Sequence, residues 1–158
     1  MPPITPCLWF NTEGEEAARF YTSVIKNSRI LETFHSDQAG PGEPGTPLTV
    51  TFELDGRKFL ALNGGPQFTF SEAISFQIEC ETQEEVDEYW SRLSEGGETG
   101  ECGWLKDRFG LSWQIVPTRL TELLTRTDAE TSARVMAAML QMQKLDIEPL
   151  ERAAGVTA

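Results

Sequence analysis

The sequence predicts an α+β fold built from two copies of one βαβββ plan, followed by a helical tail. Three observations predict it. The blocks "EEAARFY" (15–21) and "EEVDEYW" (84–90) repeat the same order of paired acids, a spacer and an aromatic pair. Each block is preceded by a strand-like stretch, "ITPCLWF" (4–10) and "AISFQIEC" (73–80). Each is followed by further short apolar runs with turn residues between them. A length of 158 residues suits one domain, or two small modules sharing one core.

In the first copy, Ala17, Phe20, Tyr21 and Val24 fall at helical spacing behind an expected N-cap at Thr12, with Glu15 three residues on. Strands are expected at "SRILETFHS" (28–36), "PLTVTFEL" (47–54) and "KFLALNG" (58–64). Asp55-Gly56 marks a hairpin between the last two. The Gly/Pro-rich "DQAGPGEPGT" (37–46) is read as a surface loop, with a lid as the alternative. "GGPQFTFSE" (64–72) links the copies. In the second copy Val86, Tyr89, Trp90 and Leu93 line the helix behind Thr82 and Glu85. Its strands follow as a short piece near 98–102, "GWLKD" (103–107) and "LSWQIVP" (111–117). In the tail, Leu120, Leu123 and Leu124 suggest a short helix, and Thr127 with Glu130 caps a longer one over 129–143. Pro149 opens a last turn that Gly155 stops. The organisation is therefore one domain over 1–117, with module one at 1–64 and module two at 73–117, extended by helices over 118–158.

A formal net charge of −12 repels phosphate backbones and argues against nucleic acid as a partner. No run reaches the roughly 18 apolar residues of a membrane span. The start "MPPITPCLWF" has no basic n-region, so a cytoplasmic location is expected, with no membrane partner. Cys7, Cys80 and Cys102 have no metal-type spacing, and their odd number speaks against a disulfide framework. Cys7 and Cys80 are expected to face the helices as small core residues, and Trp9 to lie in the helix–sheet core. Cys102 is placed at a cavity rim with no histidine to activate it. The sole histidine, His35, is given a surface or structural role. Lys106-Asp107 is read as a hairpin-stabilising pair of little energetic worth.

The tandem plan, together with "ALNGGPQFTFSEAISF", "EVDEYWSRLSEGG", "CGWLKDRFGLSWQIVP" and "RVMAAMLQMQKLDIEPLERA", resembles the vicinal oxygen chelate superfamily of glyoxalase I, extradiol dioxygenases and fosfomycin and bleomycin resistance proteins. Within it the chain resembles the PhnB-like branch, labelled 3-demethylubiquinone-9 3-methyltransferase-like. The resemblance implies that two modules curl into a half-open barrel around a small-molecule cavity, in proteins that are commonly dimers. It also implies four positions where enzymes of the group hold a divalent metal with His and Glu. Carried onto this sequence they fall on Pro6, Leu60, Ala73 or Ser75, and Gln114. Proline, leucine and alanine offer no side-chain donor, and an amide is a poor ligand for zinc, nickel or iron. No metal and no other cofactor is expected.

Strand alternation reads the same region without the resemblance. Ser75, Gln77 and Glu79 share one face of 73–80, while Ser112 and Gln114 share one face of 111–117. Buried Ser and Gln need partners, so these faces are expected to line a cavity. The expected ligand-contacting residues are Leu8, Phe10, Leu60, Ser75, Gln77, Trp104, Ser112 and Gln114. Gln114 either holds a ligand or water network, or bonds a neighbouring strand. No catalytic residue is assigned. The function this supports is metal-free binding of a small molecule in the cavity. The alternatives are the methyltransferase of the branch label, or a glyoxalase-type metal enzyme with ligands displaced to Glu53, Glu79 and His35. "NGGPQ" leads into a linker, where methyl transfer would ask for a glycine-rich strand-to-helix turn. Val135, Met136, Met139 and Leu140 give the long helix an apolar face, from which a two-fold homodimer is expected.

Overall fold

The computed structural model describes residues 2–36 and 43–156, which form two compact units, Met1–Phe70 and Ser71–Ala158. Most of the Gly/Pro-rich loop, and with it the lid reading, lies outside the described residues. The link between the copies divides at Phe70, and the helical tail belongs to the second unit.

The first unit runs β1 (Cys7–Phe10), α1 (Gly14–Val24), β2 (Arg29–Phe34), β3 (Thr49–Leu54) and β4 (Arg57–Asn63). Its sheet has the order β1-β4-β3-β2, with β1 parallel to β4 and the other pairs antiparallel. Asp55 and Gly56 turn β3 into β4 with φ of 50° and 79°, the two positive values a tight primed turn requires. Ala17, Ala18, Tyr21 and Val24 are buried on α1, and Tyr21 lies 6.2 Å from Phe52 of β3, ring centre to ring centre. Burying such a set of side chains under one helix is the main source of its stability, since an 11-residue helix is marginal alone.

Thr12 does not cap α1. The N-cap position is Glu13, without a side-chain bond, and the free N–H of Gly14 donates to Asn63 Oδ1 at 2.7 Å. Asn63 Nδ2 in turn donates to the Pro47 carbonyl at 2.8 Å. A buried amide on β4 thus does the work expected of the threonine.

The register of β1 also differs from expectation. Leu8 pairs with Ala61 and Phe10 with Asn63, on the side that meets the start of α1. Leu8 and Phe10 are 6% and 3% exposed and belong to the helix–sheet core, not to an open face. Cys7 is exposed and Trp9 half-buried on the other side. The physical reason is the match of groups. Two wholly apolar side chains fill the space beneath the helix, whereas the Trp9 indole N–H donates to the Gly65 carbonyl at 2.9 Å and its ring meets Phe68 edge-on. A side chain on Gly64 would start 2.4 Å from the Trp9 ring, so glycine is required there.

The second unit repeats the plan: β5 (Ser75–Cys80), α2 (Gln83–Ser94), β6 (Glu98–Thr99), β7 (Trp104–Lys106) and β8 (Ser112–Pro117), in the order β5-β8-β7-β6. Here Thr82 does cap its helix, accepting from the Glu85 N–H at 3.2 Å, while Glu85 reaches back to the Glu81 N–H at 3.1 Å. Val86, Tyr89 and Leu93 are buried on α2, and Cys80, Leu105, Trp113 and Ile115 are buried on the strands.

The tail holds α3 (Thr118–Thr125), α4 (Ala129–Met139) and α5 (Ile147–Ala153). Asp128, not Thr127, caps α4, accepting from the Thr131 N–H at 2.7 Å. The Thr127 hydroxyl instead donates back to the Leu123 carbonyl at 2.6 Å. Val116, Leu120, Leu123, Val135, Leu145 and Leu150 form the tail's core, with Met139 and Met142 packed on it. Val135 and Met139 are therefore used within the chain, and the expected exposed face shrinks to Met136 and Leu140. Two anchors hold the tail. The Cys102 and Gly103 N–H groups donate to the Met142 and Gln143 carbonyls, each at 2.8 Å. Gly103 has φ of 84°, and a side chain there would meet the Ile115 carbonyl at 2.7 Å. On the other side the Gln83 side chain donates to the Leu145 carbonyl and Asp146, and accepts from the Ile147 N–H at 2.8 Å. Among the described residues no helix is long and apolar enough to cross a membrane.

Candidate functional site

The polar face of the second sheet, away from α2, is the feature that packing alone does not require. Residues opposite one another in a ladder present side chains on the same face. Ser75 pairs with Ser112, Gln77 with Gln114, Trp104 with Gln114 and Lys106 with Ser112. Five of the eight expected residues (Ser75, Gln77, Trp104, Ser112 and Gln114) are thereby brought onto one face. Val116, the next residue on that face, is buried in the tail core, so the tail covers this end of the strip.

Gln114 Nε2 donates to Ser75 Oγ at 2.9 Å, a cross-strand bond that spans β8 and β5. Ser112 is 1% exposed, and its hydroxyl has no hydrogen-bond partner among the described residues. It lies in the wall of a pocket of about 130 Å³, together with Trp104, Lys106, Glu72, Glu98 and Thr99. Lys106 is ion-paired with Glu72. The bond from Lys106 holds the exposed Glu72 carboxyl below the usual range, and the same bond raises the lysine. The remaining expected residues belong to the first unit. Leu8 and Phe10 are in the first unit's core, and Leu60 is half-buried on β4.

Lys106 and Asp107 are not the hairpin pair expected from their adjacency. Asp107 is 2% exposed and accepts three bonds: Phe109 N–H at 2.8 Å and Leu111 N–H at 3.1 Å on Oδ1, and the Trp113 indole at 2.9 Å on Oδ2. Alternation could have found Lys106, two residues beyond Trp104 on the same strand. Nothing in the sequence marks Glu72, which arrives from the loop before β5. Cys102 is not at the pocket rim. Its thiol donates to the Met139 carbonyl at 3.7 Å, and its φ is 58°.

The donors present do not fit the metal that the fold's enzymes hold. In module two the implied positions are Ala73 or Ser75, and Gln114; alanine has no donor atom, and Ser75 and Gln114 are already bonded to each other. In module one Pro6 offers only its backbone carbonyl, which accepts from the Leu60 N–H at 2.9 Å. Of the displaced candidates, Glu53 pairs with Arg29 at 3.2 Å, and Glu79 and His35 are exposed. Among the described residues no three His, Cys, Asp or Glu side chains group as a metal site.

Comparison with known proteins agrees with this architecture. A family model described as 3-demethylubiquinone-9 3-methyltransferase matches residues 2–116, and the chain belongs to that family, within the vicinal oxygen chelate fold. It is similar to a protein solved from Bacillus cereus, titled a putative 3-demethylubiquinone-9 3-methyltransferase, PhnB protein. The identity is 35% and the TM-score 0.68, over 73% of this chain and 99% of that one. PA1353 from Pseudomonas aeruginosa is 17% identical with a TM-score of 0.63, covering 74% and 98% of the two chains. The fosfomycin resistance protein FosX from Mesorhizobium loti is 12% identical with a TM-score of 0.52, covering 73% and 90%. These last two share the fold alone. No curated protein matches the chain.

Proposed function

We propose that the chain binds a small organic molecule on the polar face of its second sheet, through Ser112, Gln114 and Trp104 and without a metal ion. The observation that carries this reading is the Ser112 hydroxyl, buried in a pocket wall and unpartnered. Leaving such a group unsatisfied costs about 1–3 kcal/mol, an expense that a bound molecule would remove. Trp104 offers a broad apolar surface beside it. Gln114, tied to Ser75, is held in one orientation by that bond. The family description names a methyl transfer, but the strand-to-helix turns here are spent differently. Thr82 and Glu85 close the second turn on itself, and the Gly14 N–H of the first is given to Asn63. A dinucleotide- or nucleoside-type cradle needs such N–H groups free. Binding is therefore the reading adopted.

Ser112→Ala tests it, because the two roles of the hydroxyl predict opposite signs. Native mass spectrometry of untagged protein identifies the carried molecule, and titration then compares the two chains. Removing an unsatisfied hydroxyl should stabilise the free protein by about 1 kcal/mol and weaken the ligand roughly tenfold. A stability loss with unchanged affinity would make Ser112 a structural residue and remove the support for this site.

A further inference from the structure

We infer that the pocket on the second sheet selects molecules carrying a carboxylate, and that Glu72 is the chain's own carboxylate standing in that place. The inference rests on the binding reading above and adds the chemical class. Three features carry it. First, the donors converge. Lys106 is the register partner of Ser112, so both side chains leave the sheet on one face, and both line the pocket, one with an ammonium and the other with an unpartnered buried hydroxyl. Both can donate, and the two oxygens of a carboxylate can accept from both at once. Second, the resident partner is weakly held. The Lys106 and Glu72 side chains are 40% and 59% exposed, and exposed ion pairs contribute little. Glu72 satisfies Lys106 alone and leaves the Ser112 hydroxyl unmet. An incoming carboxylate that takes both donors, with its body against Trp104, gains more than Glu72 loses. Third, the cation position is filled. Glu98 faces Lys106 across β6 and β7, so an amine ligand would have to displace the lysine from two acids.

The experiment uses benzoate, benzamide and benzylamine as probes of one shape and three charges. Each is titrated into the full chain while the Trp104 indole N–H resonance is followed, assigned by its loss in Trp104→Phe. Benzoate should bind about tenfold more tightly than benzamide, and Glu72→Gln should tighten benzoate about three- to tenfold while leaving benzamide unchanged. Lys106→Met should abolish the difference between the two. Both substituted side chains are partly exposed, so neither variant removes core packing. Equal affinities for benzoate and benzamide, a preference for benzylamine, or no effect of Glu72→Gln on benzoate would each overturn the carboxylate inference and leave small-molecule binding standing. If none of the three probes shifts Trp104, the binding reading falls with it.

Discussion

Asp107 has two side-chain oxygens, and the hairpin between β7 and β8 uses both. Oδ1 closes the turn on the Phe109 and Leu111 N–H groups, and Oδ2 fixes the Trp113 indole in the core. The same turn sets the register that places Trp104 opposite Gln114 and Lys106 opposite Ser112. Asp107→Ala would strand three donors, one of them on a tryptophan that is 2% exposed. We expect a stability loss of about 2–4 kcal/mol by urea denaturation, with Asp107→Asn recovering only part of it, because its NH₂ faces a donor. A loss below about 0.5 kcal/mol would show that water replaces these bonds without cost. From sequence, a Lys-Asp pair before a turn looks like a surface pair. The three bonds that make Asp107 a core residue depend on turn geometry, which the order of residues does not disclose. Gln114 was more legible: alternation gives its face, although not its bond to Ser75.

At the scale of elements, legibility follows from how many residues vote. Each βαβββ copy has several strands and one amphipathic helix, and their order is plain in the sequence. β1 has only four residues, and its parity cannot be read from the pattern because Leu8, Trp9 and Phe10 are all apolar. The caps divide in the same way. Thr82 has a local partner in Glu85, whereas α1 is held by Asn63, 49 residues from Gly14. Tertiary anchors of that kind also join the tail to the second unit. Gln83 reaches Asp87, Leu145, Asp146 and the Ile147 N–H, and Lys144 pairs with Asp87 at 2.7 Å. Gln83→Ala should cost about 1–2 kcal/mol and speed amide exchange in α5. The bonds from Lys144 and then Gln83 lower the Asp87 carboxyl. Its contribution is therefore complete above the ordinary aspartate range and is lost as the pH falls through the lowered value. Lys144 is raised, chiefly by its bond to Asp87, so its share is complete below the ordinary lysine range and lost as the pH rises through the raised value. Acid should lower the protection of the α5 amides, taken relative to their intrinsic exchange rates, and Asp87→Asn should diminish that pH dependence. Protection insensitive to both Gln83→Ala and acid would show that the tail is held by the Cys102 and Gly103 bonds and the Val116 core, without the Gln83–Asp87 contacts.

For the whole molecule the question is which bound species the native state requires. Pro6, Leu60, Ala73 or Ser75, and Gln114 stand at the positions that the resemblance implies for a metal. Proline and leucine bring no side-chain donor and an amide is a poor ligand, which is why the proposed binding asks for no metal. Linkage turns this into a measurement. A species that binds only the native state, at a free concentration of 100 times its Kd, stabilises by about 2.7 kcal/mol. For a chain of this length that is a rise in Tm of roughly 5–11 °C. Zinc, nickel or manganese added to chelator-treated protein should leave Tm within about 1 °C, as should the chelator added to untreated protein. Benzoate, if Lys106 and Ser112 receive it, should raise Tm progressively as its concentration passes its Kd, and by less in Lys106→Met. A fall of several degrees on chelation, restored by one metal, would overturn the metal-free reading and return Glu53, Glu79 and His35 to consideration as ligands.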